Sequence, residues 1–154
     1  MSQRAIFYRL DTQDTGQTQY FIARLVEKLL IQQKLRLCLY AEETQLDFWD
    51  QYLWQCPEAS FLAHQIATTP ANLMQAQAPL MLTALQAHTQ ASWPCAYDVL
   101  INLAQAPVSS CTPFTQVVEF VYLPQTMQVQ AQRQRWRAYQ ALGIACVAHT
   151  LAFD

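Results

Sequence analysis

Short apolar runs alternate with amphipathic stretches along almost the whole chain, and this alternation restricts the fold more than any other feature of the sequence. Residues 5–8 form a strand-like run, stopped by polar residues near Asp11 and by Gly16. Over residues 17–34 the apolar positions Phe21, Leu25, Val26, Leu29 and Leu30 recur at helical spacing. Residues 35–40 read as a second strand, apolar without alternation, as expected of a strand covered on both faces. This β-α-β opening predicts a parallel pair joined by a right-handed crossover. Residues 42–54 read as an acidic helix that stops before Pro57, and residues 61–64 as a short strand. Residues 68–78 are polar, with Pro70 near their start, and read as a loop. Strands follow at 79–85 and 99–103, joined through 86–96, and a β-branched strand at 114–123. Pro124 suits the first turn of a last long helix running to about residue 142. Gly143 stops it, and residues 144–148 make a final strand. The expected fold is a single α/β domain over residues 1–154, with a mainly parallel, Rossmann-like sheet flanked by helices.

Composition narrows the classes of function. With 53 % hydrophobic and 13 % charged residues, the chain can build a core and is not disordered. No apolar run approaches the ~20 residues that a membrane helix needs, and the N-terminus lacks a signal-peptide pattern, so a cytoplasmic location is expected. The 5 cysteines are odd in number and widely spaced without a CxxC, which argues for reduced, mostly buried thiols. Only 2 glycines occur, so the glycine-rich loops that cradle phosphates are missing, as is a GxSxG elbow. His64, His88 and His149 are far apart, and Asp47 with Asp50 reads as a solvated helix face. Neither a catalytic residue, a metal nor a cofactor is expected. The alternative is a small α/β enzyme or nucleotide-binding protein. Its mark would be His64 or His149 clustered with Cys and acidic groups in a deep pocket.

Charge is unevenly distributed. No Lys or Arg lies between Leu37 and Gln132, while Glu42, Glu43, Asp47, Asp50, Glu58, Asp98 and Glu119 all do. No Asp or Glu lies between Phe120 and Phe153, where Arg133, Arg135 and Arg137 sit together. An acidic middle and a small basic patch near the C-terminus are expected on the surface. Three arginines are too few to track a nucleic acid, but enough to grip a short acidic peptide or a terminal carboxylate. Two segments have the chemistry of protein binding. One is residues 48–54, where Phe48, Trp49, Tyr52 and Trp54 crowd an acidic helix. The other is the last helix, whose wheel places Val129, Arg133, Trp136 and Gln140 on one face with Arg137 beside it. There Trp136 either stands exposed among guanidiniums or turns into the core.

At these same places the sequence resembles the chi-subunit family of the bacterial replicative polymerase's clamp loader. Leu53-Trp54-Gln55-Cys56-Pro57-Glu58-Ala59-Ser60-Phe61-Leu62-Ala63-His64 matches the family pattern LW-x-x-P-x-x-SF-x-x-H. Asp98-Val99-Leu100-Ile101-Asn102-Leu103 and Phe114-Thr115-Gln116-Val117-Val118-Glu119-Phe120-Val121 resemble DILI-x-L and F-T-E-V-V-D-F-V. Arg133-Gln134-Arg135-Trp136-Arg137-Ala138-Tyr139, followed by Gly143, resembles R-E-R-Y-K-A-Y and Gly, and Phe7-Tyr8-Arg9-Leu10-Asp11 resembles F-Y-x-L-D. The resemblance implies a non-catalytic adaptor. It implies a small psi subunit as partner at Trp54 and Phe61, a surface that in some relatives also takes a helicase. It implies that the acidic C-terminal tail of single-stranded DNA-binding protein is held by Val121, Arg133 and Trp136, with Arg137 at the rim. Three departures bear on that site. Trp136 stands for a Tyr, one extra residue lies between Val121 and Arg133, and Gln128, Val129 and Gln130 occupy the place of a lysine.

Overall fold

A computed structural model describes residues 3–56, 62–75, 77–84, 97–104, 114–123 and 126–152. The elements run β1 (Arg4–Asp11), α1 (Thr15–Glu27), a π-helical turn (Lys28–Gln32), β2 (Leu37–Tyr40), α2 (Glu43–Gln55) and β3 (His64–Ala67). They continue with α3 (Pro70–Gln75), β4 (Leu80–Thr83), β5 (Val99–Asn102), β6 (Gln116–Leu123), α4 (Thr126–Ala141) and β7 (Ala145–Ala152). Among the described residues the strands form one 7-stranded sheet in the order β3-β4-β2-β5-β6-β1-β7. Every pairing in it is parallel.

Three expectations from the sequence change. β1 and β2 are parallel but do not pair, because β5 and β6 lie between them. The polar stretch at 68–78 is not all loop. The Thr69 hydroxyl accepts from the Asn72 backbone N–H at 3.1 Å, capping the short helix α3 that begins at Pro70. The strand expected at 61–64 begins at His64, and Phe61 lies outside the described residues, as do the connection at 86–96 and Pro124.

The strict alternation of side chains along a strand sorts the interior into two cores, one on each face of the sheet. Leu37 and Leu39 of β2, Leu80 and Leu82 of β4 and Val99 and Ile101 of β5 join Ile22, Val26, Leu46, Trp49 and Leu53, so α1 and α2 cover this face. Ala5 and Phe7 of β1, Cys38, Met81, Leu100, Val117 and Val121 join Tyr139, with Trp136 packed against them, so α4 covers the other. The Asp14 side chain caps α1 by accepting from the Gln17 backbone N–H at 3.3 Å. Gly143, at φ 78°, turns the chain out of α4 into β7, a conformation that favours glycine.

Candidate protein-interaction sites

α4 turns Gln132, Arg135 and Tyr139 towards the sheet, the spacing of one helix face. The outer flank carries Arg133, Trp136, Arg137 and Gln140. Together with Gln132 and Arg9 of β1 these line an open cavity of about 390 Å³. The wheel drawn from the sequence places four of these six correctly. The question of whether Trp136 is exposed or buried resolves as both. Its ring packs on Phe7, with centroids 5.2 Å apart and planes at 46°, and still forms part of the cavity wall. Val121, expected in the binding set, is wholly buried in the core beneath and does not line the cavity. The side chain of Val129 lies outside the described residues.

The basic patch is not the one expected from the sequence. Arg135 is buried: its Nε lies 3.5 Å from Glu119 Oε1, and its Nη2 donates to the Phe120 carbonyl at 3.2 Å. Glu119, expected on the acidic surface, is wholly buried as well. On β6 it follows the period of Val117 and Val121, so it faces α4. The Tyr139 hydroxyl donates to Glu119 Oε2, and Asn102 Nδ2 donates to the same oxygen at 2.9 Å. Burial pushes the Glu119 carboxyl up to about 7, against the pull of Arg135, Tyr139 and Asn102 towards ionisation. The surface cation that does reach the cavity, besides Arg133 and Arg137, is Arg9. Alternation along β1 puts it on the face of Ala5 and Phe7, but nothing local says that α4 covers that face.

The second site lies at the end of α2. Leu46, Trp49 and Leu53 enter the core, while Phe48 and Trp54 remain 37 % and 42 % exposed. The Trp54 ring lies over His64, with centroids 4.1 Å apart. His64 is buried, with Nδ1 2.7 Å from the Leu62 carbonyl oxygen and Nε2 2.8 Å from Asp50 Oδ1. Asp50, read from sequence as part of a solvated face, is thus engaged in tying α2 to the start of β3. Glu43, Asp47, Asp50 and Trp54 follow one another at helical spacing on one flank of α2. Phe61 cannot be placed beside them, since it lies outside the described residues.

Among the described residues no three His, Cys, Asp or Glu gather in an arrangement that could hold a metal; Cys38 is buried, and the free thiols Cys56 and Cys146 are partly buried. No described helix is long and apolar enough to cross a membrane. A family model described as "DNA polymerase III chi subunit, HolC" matches residues 1–147. The chain is 28 % identical over 145 residues to the DNA polymerase III subunit chi of Escherichia coli (strain K12), across 92 % of this chain and 93 % of that protein.

Proposed function

The chain belongs to the DNA polymerase III chi subunit family, a family of replication accessory subunits, and from that premise we propose that it is a non-catalytic adaptor with two separate docking sites. The cavity between α4 and β1 takes the acidic C-terminal tail of single-stranded DNA-binding protein. The end of α2 with Trp54, together with Phe61, takes the psi subunit. The adaptor thereby links the polymerase assembly to coated template.

The observation that carries this reading is the lining of the cavity, which among the described residues holds three arginines and a half-buried tryptophan and no Asp or Glu. Such a surface suits a peptide that ends in acidic residues and an aromatic side chain. The Trp136 ring gives the apolar contact, while Arg133 pairs with the terminal carboxylate in a charge-assisted bond. Arg137 stands at the rim and attracts the upstream acids.

Fluorescence anisotropy with a labelled tail peptide ending in acidic residues and phenylalanine tests the reading. Arg133→Ala should lose roughly 1.5–3 kcal/mol, the scale of hydrogen bonds to charged groups. Arg137→Ala should lose less than ~1 kcal/mol, because exposed ion pairs contribute little. If Arg133→Ala and Trp136→Ala both bind as the parent does, the tail docks elsewhere.

A further inference from the structure

Arg9 belongs to none of the features that suggested a binding site from sequence. Its position is the unspecified x of the F-Y-x-L-D pattern. In the fold it lies on β1, in register with Val121 of β6 on one side and Thr150 of β7 on the other. That places it under α4, where it lines the cavity with Arg133, Trp136 and Arg137. Its Nε is buried and finds no hydrogen-bond partner among the described residues. A buried guanidinium N–H without an acceptor is costly, and the described residues that line the cavity include no carboxylate. Arg9 therefore brings a cation with an unsatisfied N–H to the inner wall of the cavity, on the sheet side. Arg133 and Arg137, both exposed, supply charge only from the helix side.

We propose that Arg9 is a carboxylate-binding residue of this cavity, holding the terminal carboxylate of an acidic peptide from the sheet side while Arg133 holds it from the helix. The proposal rests on the peptide-binding reading of the cavity and adds to it the residue that sets the preference for a free C-terminus. Arg9 supplies the third cation of the cavity from a different element. A chain end suits the inner wall. A terminal carboxylate approaches the sheet with no further backbone to be accommodated beyond it.

Two peptides of one sequence, one with a free C-terminal carboxylate and one with a C-terminal amide, separate the possibilities in the same anisotropy assay. Arg9→Gln should weaken the free-acid peptide roughly ten-fold, the scale of one lost charge-assisted bond. It should change binding of the amide peptide by less than about two-fold. Arg9→Lys, which keeps the charge but not the planar fork, should recover part of the loss. Equal weakening of both peptides by Arg9→Gln, or no weakening while Arg133→Ala still weakens the free acid, overturns the role of Arg9 and leaves the cavity as the tail site. Indifference of the free-acid peptide to Arg133→Ala, Trp136→Ala and Arg9→Gln alike overturns both. Thermal melts of Arg9→Gln and Arg9→Lys identify any loss due to unfolding, and the lysine variant then carries the comparison.

Discussion

The carboxyl of Glu119 sits where α4 meets the sheet, and its protonation should be visible in stability. Folded, burial holds it at about 7; its ordinary value is 4.5. Between those two pH values the folded chain keeps a proton that the unfolded chain has released. Stability should therefore fall as pH rises through that window and level off above it, by on the order of 3 kcal/mol at most for this group. Urea titrations at pH 5 and pH 8 should show a smaller drop for Glu119→Gln than for the parent; equal drops would mean that other groups set the pH dependence. Glu119→Ala is a harsher change, because above pH 7 it leaves Arg135 buried without its ion pair. It should cost about 3–5 kcal/mol in the titration at pH 8.

At the scale of elements, α2 and α4 have the same design. Each buries one face and leaves an aromatic residue at the boundary, Trp54 on α2 and Trp136 on α4. Trp54 lies over His64 and remains 42 % exposed. Trp54→Ala should weaken psi binding by on the order of 2 kcal/mol, as truncating an interface anchor does. Its melting point should stay within a few degrees of the parent, since the lost ring leaves little internal cavity. A large drop in melting point would make Trp54 a core residue instead. α1 shows how an element ends without the usual residue. The sequence reading carries the helix to Lys34, but the α-helix stops at Glu27 and a π-helical turn continues to Gln32. Lys34 then adopts φ 54°, the left-handed conformation usual for a glycine in that place. Lys34→Gly should stabilise the chain by about 0.5–1 kcal/mol, readable as a higher urea midpoint.

Across the whole molecule, the two proposed docking surfaces carry opposite charge, with Glu43 and Asp47 exposed near Trp54 and Arg9, Arg133 and Arg137 around the α4 cavity. Tail-peptide affinity should fall several-fold between about 0.05 and 0.5 M salt, because exposed charges are screened. The apolar contact with Trp136 should leave a residual affinity that salt does not remove, and an affinity unchanged by salt would argue against arginine recognition. The sequence by itself determined the α/β class, the order of the strands and longer helices and the outer face of α4, because these rest on short periodicities that each segment carries internally. Only the tertiary structure decided that β5 and β6 separate β1 from β2, since strand order depends on pairings between distant segments. It likewise turned Arg135 inward onto Glu119, sank Val121 below the cavity and brought Arg9 up to its wall. Alternation tells which residues of a strand share a face. What covers that face is settled by the packing of α4 on β1, where Phe7 meets Trp136 and Tyr139, residues more than a hundred positions away in the chain.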